Sequence, residues 1–194
     1  MVNRYDLLLA LCAKIRPETI MEIGVFDGRN AAKLIKVSGA EKYIGFDLFE
    51  DLTDELYKKE FSKKPPRQKE VYLHFYNTVP ICVINLIKGN TKETLRYHTG
   101  ESPDFVWVDG GHSVETIKSD WENLKKIINE RTVVVFDDYY NHGLDTTKFG
   151  CNCLLGEFLQ DGYKIQKIGC DEFKNQMGLE SYSISMIVIT KGNL

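Results

Sequence analysis

The chain has 194 residues, 43% hydrophobic and 27% charged, enough for one domain of ordinary size with a proper core. A net charge of −3 gives no footing for a nucleic-acid or membrane-surface protein. The five cysteines (Cys12, Cys82, Cys151, Cys153, Cys170) are odd in number and lack paired C-x-x-C spacing, which argues against a disulfide framework or zinc site and for a reducing compartment, the cytoplasm by default.

Residues 5–15 read as a short amphipathic helix, ended before Pro17. Its apolar run, residues 7–12, is too short to span a bilayer. A first strand over residues 19–25 leads through Gly24 and Gly28 into a helix running to about Ser38, with Gly39 as its stop. A second strand ends at Asp47. A charged helix is expected over 50–61, a chain break at Pro65-Pro66, and another helix over 68–77. The third strand, 82–87, leads to Asn90, which with Glu93 has the spacing of a capping box.

The fourth strand ends at Asp109. Ser113 then caps a helix whose apolar stripe is Val114, Ile117, Trp121, Leu124 and Ile128. The fifth strand ends at Asp137-Asp138, before a polar loop over 139–150 and a helix through Leu154, Leu155, Phe158 and Leu159. Two last strands, 163–168 and 182–190, have no helix between them, so they pair antiparallel at the sheet edge. The fold class is therefore α/β: one domain over residues 1–194, with a doubly wound, mostly parallel seven-stranded sheet and an antiparallel C-terminal pair.

A carboxylate ending an apolar strand makes little sense as packing. It makes sense if parallel strands open onto one crevice, where α/β sheets bind ligands. Glu22, Asp47, Asp109, Asp137 and Asp138 should then line one site. In Glu22-Ile-Gly24-Val-Phe26-Asp-Gly28 the glycines allow a sharp turn and a close backbone approach. Asp27 inside this loop would repel a pyrophosphate but suits a ligand carrying an ammonium or sulfonium. Asp47, ending the second strand, can accept hydrogen bonds from ribose hydroxyls.

With these motifs the chain resembles the class I S-adenosylmethionine-dependent methyltransferases, whose first motif is E-x-G-x-x-x-G and whose ribose ligand is an acid ending the second strand. Asp109-Gly-Gly-His112-Ser-Val-Glu115 and Phe136-Asp137-Asp138-Tyr139 resemble stretches of a subgroup related to macrocin O-methyltransferase. Departures are Val114 for the usual Tyr, Gly111 where an acid is common, and Asn152 for an Arg. The resemblance implies a Rossmann-like fold and a cofactor, S-adenosylmethionine, held by Glu22, Gly24, Phe26, Gly28, Asp47, Asn90 and Asp109. It implies a divalent metal, magnesium first, on Asp109, Asp137 and Asp138, with Asp109 and His112 as catalytic residues.

The expected reaction is methyl transfer to a hydroxyl of a small molecule, a sugar first and a phenol or catechol second. Residues 49–78 and 139–150 should shape the acceptor pocket, with Tyr139, Tyr140 and Trp107 as candidate walls. No nucleic-acid or membrane partner is expected, and the N-terminal helix leaves a homodimer open. The rivals are a nicotinamide-dependent oxidoreductase and a non-catalytic binding protein on a methyltransferase fold.

Overall fold

The computed structural model describes residues 3–60, 64–176 and 178–192. Helix α1 (Arg4–Ile15) precedes strand β1 (Thr19–Ile23), α2 (Arg29–Ser38) and β2 (Lys42–Asp47). Then come α3 (Asp54–Lys59), α4 (Gln68–Thr78), β3 (Val83–Lys88) and α5 (Thr91–Thr94). The second half adds β4 (Phe105–Val108), α6 (Val114–Leu124), β5 (Val133–His142), α7 (Leu155–Gln160), β6 (Lys164–Gln176) and β7 (Leu179–Thr190). One seven-stranded sheet has the order β3-β2-β1-β4-β5-β7-β6, parallel except where β7 meets β5 and β6. Among the described residues no helix is long and apolar enough to cross a membrane.

Both sheet faces are covered, as near-continuous apolar strands require. One face packs Leu8 and Cys12 of α1, Leu34 and Ile35 of α2 and Phe75 of α4 over Ile20, Phe105 and Val135. The other packs Ile117, Trp121 and Leu124 of α6 over Met21, Val106 and Phe136. Trp121 anchors that layer, its ring edge-on to Phe158 at 5.0 Å and to Tyr163 at 5.5 Å.

Three expectations needed revision. The charged helix over 50–61 is broken: a 3-10 turn covers Phe49–Asp51, and α3 starts afresh with Thr53 as its cap, while Phe61 lies outside the described residues. The fifth strand continues beyond Asp138 to His142, because a bulge between Phe136 and Tyr139 lets polar residues stay paired with β7. The last two strands are also longer than expected, meeting from Lys164↔Thr190 to Gln176↔Leu179. Their added residues point mostly into solvent, so no apolar run announced them.

Helix α1 is fastened by a buried ion pair. The Arg4 Nε donates to Asp137 Oδ1 at 2.8 Å, and its Nη1 to Asp171 Oδ2 at 2.6 Å. The Tyr5 hydroxyl donates to Asp137 Oδ2 at 3.1 Å. Arg4 and Asp137 are only 7% and 2% exposed. Removing one partner would leave the other charge buried and uncompensated. Arg4→Ala is expected to cost roughly 3 kcal/mol and about 10 °C in Tm, with Asp137→Asn in the same chain recovering part of the loss. Thermal melts of the two single variants and the double variant check this.

Candidate active site

The carboxyl ends of β2, β1, β4 and β5 open onto one cleft of about 610 Å³, a volume typical of small-molecule sites. Glu22, Gly24, Phe26, Asp47, Asn90, Asp109, His112, Asp137 and Asp138 all line it. Gly28 does not. It takes φ +74° as the residue before α2, and a β-carbon there would lie 3.0 Å from Val71 and Phe75 of α4. The missing side chain lets the loop pack closely under α4.

Gly24 has φ +91°, and a β-carbon there would lie 2.0 Å from the Asp109 carbonyl oxygen. The two loops that frame the cleft floor can touch only because this side chain is missing. Glu22 is 1% exposed and accepts from the Tyr43 hydroxyl. Burial pushes its carboxyl well above the usual range; the Tyr43 bond offsets part of that, and Asp47 and Asp27 add to it. Asp27 is turned to Arg29, whose Nε lies 2.7 Å away.

Asp47 accepts the backbone N–H of Phe26 at 2.8 Å on one oxygen and that of Phe49 at 2.7 Å on the other. Burial raises its pKa while these amides oppose the rise. The Val25 and Leu48 amides join Phe26 and Phe49 in opposing it. Asn90 caps α5 by accepting from the Lys92 N–H at 3.0 Å.

The β5 bulge decides the rest. Asp138 sits at φ +57°, so two consecutive acids turn to different partners. Asp137, expected among the metal ligands, is instead engaged by Arg4 and Tyr5. Asp138 comes within 3.4 Å of His112 Nε2. One ligand atom each from Asp109, His112 and Asp138 falls within 4.8 Å of the others. Burial and the charges of Asp137 and Asp138 drive Asp109 well above the usual carboxylate range; burial raises Asp138 too, with His112 opposing. The buried His112 Nδ1 has no partner among the described residues. His142 stands apart, exposed, 3.3 Å from Glu172.

The walls also differ from expectation. Tyr140 lines the cleft, whereas Tyr139 does not. Trp107 lines it from the core, 1% exposed. Phe173 and Tyr182, stacked at 4.9 Å across the β6–β7 hairpin, form a wall that the sequence did not announce. Glu60, 5% exposed, reaches from the end of α3 to the Ser113 backbone N–H at 2.7 Å and the Thr116 hydroxyl at 2.9 Å, holding that segment over the cleft. Asp120 is a further cleft residue outside the expected set, though its signal is local: it lies three residues from Ile117 and four from Leu124, a charge on an otherwise apolar stripe.

A seven-stranded sheet with an antiparallel end and a ligand cleft at the parallel strand ends defines the class I methyltransferase fold. A family model described as a methyltransferase domain matches residues 21–139, more than half of the chain, and the chain belongs to that family. No curated protein sequence matches it significantly. Solved structures of the same fold include a precorrin-6y C5,15-methyltransferase from Geobacter metallireducens (12% identity, TM-score 0.62, 96% of this chain and 89% of that one). An O-methyltransferase from Bacillus cereus in complex with SAH has 14% identity and TM-score 0.60, over 95% and 80% of the two chains. The O-methyltransferase TomG from Streptomyces achromogenes, in complex with SAM, has 13% identity and TM-score 0.55, over 96% and 79%.

Burial pushes Asp120 from 3.8 up to about 7. An acid raised in the folded state loses stability as pH climbs from its unfolded to its folded pKa. Wild type should therefore weaken between about pH 4 and pH 7, by a few kcal/mol, since each tenfold change in proton affinity is worth about 1.4 kcal/mol. Asp120→Asn removes this slope, so its Tm advantage over wild type should grow from about pH 4.5 to about pH 8. A constant difference across that range would contradict the assignment.

Proposed function

We propose that the chain transfers a methyl group from S-adenosylmethionine to a hydroxyl group of a small molecule. The observation that carries this reading is the division of one cleft into two chemistries. Asp47 brings an amide-anchored carboxylate to the cleft at the end of β2, and Asp109, His112 and Asp138 converge at the ends of β4 and β5. In this reading the ribose hydroxyls bond to Asp47, Asn90 lies on the base side, and the methionine portion runs past Glu22 and Gly24.

Asp109, His112 and Asp138 would hold a divalent cation, which would supply Lewis acidity and a template for the acceptor oxygen. Their convergence within 4.8 Å suits such an ion, and a nitrogen among the donors admits manganese or zinc besides magnesium. Asp137, committed to Arg4, falls outside this set. The chain's own contribution is proton handling and placement. With Nε2 donating to Asp138, which orients the ring, the unpartnered His112 Nδ1 holds the one lone pair: it takes the acceptor proton where no cation engages it and would serve as the third ligand where one does, the two roles being exclusive. Phe173, Tyr182 and Tyr140 present an aromatic wall against which the acceptor lies, and this favours a flat phenolic or catechol acceptor as much as a sugar. Holding oxygen, carbon and sulfur in line supplies much of the remaining rate.

Isothermal titration with S-adenosylhomocysteine should give saturable binding to wild type, weakened about 30-fold or more in Asp47→Ala, which loses charge-assisted hydrogen bonds. A flat wild-type titration would sink the reading. With radiolabelled S-adenosylmethionine and a panel of phenols, catechols and sugars, His112→Ala should lower kcat by about 10² to 10⁴, the usual worth of a general base, while S-adenosylhomocysteine affinity stays within about threefold.

A further inference from the structure

One buried acid on the cleft has no charge or well-formed hydrogen bond from the protein to satisfy it. Asp120, on α6, is 1% exposed and lines the cleft. Neither of its carboxylate oxygens has a hydrogen-bond partner among the described residues. The charged groups around it are committed elsewhere. Both oxygens of Glu60 are used by Ser113 and Thr116. The Lys92 ammonium is held by Glu115 at 2.5 Å. The Thr91 hydroxyl beside it offsets only part of the burial penalty, and the acid is held up to about 7. A fold stays marginally stable by pairing such groups, so an orphan aimed into a ligand cleft marks a place where the ligand supplies the partner.

Position identifies the ligand atoms. Asp120 adjoins Thr91, Lys92 and Glu60, on the β3 side of the cleft, whereas Asp109, His112 and Asp138 gather on the β4–β5 side. β3 pairs beside Asp47, and the residues that follow it, Gly89 to Lys92, line the cleft next to that carboxylate, so a ribose on Asp47 would set its base against Asn90 and Thr91. An acceptor is what Asp120 offers in either protonation state. Protonated, it also offers a donor beside that acceptor, matching the amino group and ring N1 of adenine.

Resting on the reading of this cleft as an S-adenosylmethionine site, we propose that Asp120 selects the adenine base by accepting a hydrogen bond from its exocyclic amino group. A site built around a buried polar group rejects a ligand that leaves that group unpaired.

The test is isothermal titration of wild type, Asp120→Asn and Asp120→Ala with S-adenosylhomocysteine and with its purine analogue lacking the 6-amino group. Apo melts confirm that each variant folds. If Asp120→Ala does not, Asp120→Leu makes the same comparison with the volume filled. Wild type should bind the deamino analogue about tenfold or more weakly. Asp120→Asn should keep that preference, because its amide oxygen still accepts. Asp120→Ala should lose it through weaker binding of S-adenosylhomocysteine, with the analogue changed less than about threefold. Equal affinities for the two ligands in wild type, or an undiminished preference in Asp120→Ala, would overturn the role of Asp120. No binding of S-adenosylhomocysteine to wild type would instead overturn the cofactor reading beneath it.

Discussion

Acids crowd the cleft formed by the strand ends: Glu22, Asp47, Asp109, Asp137 and Asp138, with Asp120 on the neighbouring helix. Like charges in a poorly solvated place repel, so each must be neutralised, hydrogen-bonded or kept protonated. The fold answers them one at a time. Tyr43 donates to Glu22, two backbone amides to Asp47, and Arg4 with Tyr5 to Asp137. Asp109 is left with His112, Asp138 with His112 and a long bond from the Tyr140 hydroxyl, and Asp120 with no more than the neighbouring Thr91 hydroxyl. The functional surface is the remainder of this distribution, the set of charges for which the protein supplies no partner of its own.

Arg4 shows how far that distribution reaches. One guanidinium joins the first helix to the end of β5 and to β6. It withdraws Asp137 from the Asp109–His112–Asp138 group and fixes the start of α1 beside the cleft. The β5 bulge is its counterpart. In a regular strand consecutive side chains point to opposite faces. The positive φ of Asp138 re-aims it so that Asp137 meets Arg4 while Asp138 meets His112. A chain without the bulge would lack the close Asp109–His112–Asp138 group.

The rim is built from pieces of different origin. Glu60 ties the segment after α3 to the start of α6, where the free N–H groups of a helix favour a carboxylate. The β6–β7 hairpin sets the stacked Phe173 and Tyr182 along one wall of the cleft. A single cleft thereby has a carboxylate-rich end and an aromatic end.

The sequence by itself determined the sheet and its floor. Alternating apolar strands and helices, with acids at the strand ends, dictated the topology and brought Glu22, Asp47, Asp109 and Asp138 to one crevice, because a parallel sheet puts all its carboxyl ends on one edge. Local signals of this kind travel with a few adjacent residues and are legible in them. Tertiary structure alone decided the pairings. Arg4 and Asp137 are 133 residues apart, and Glu60 and Ser113 are 53 apart; no local pattern encodes such partners. The packing of α4 on Gly28 was hidden for the same reason, since only the folded chain brings Val71 and Phe75 against it. Asp120 lies between these cases. Its place on an apolar stripe was visible in the sequence, but its isolation was settled only when the fold gave Glu60 and Lys92 to other partners.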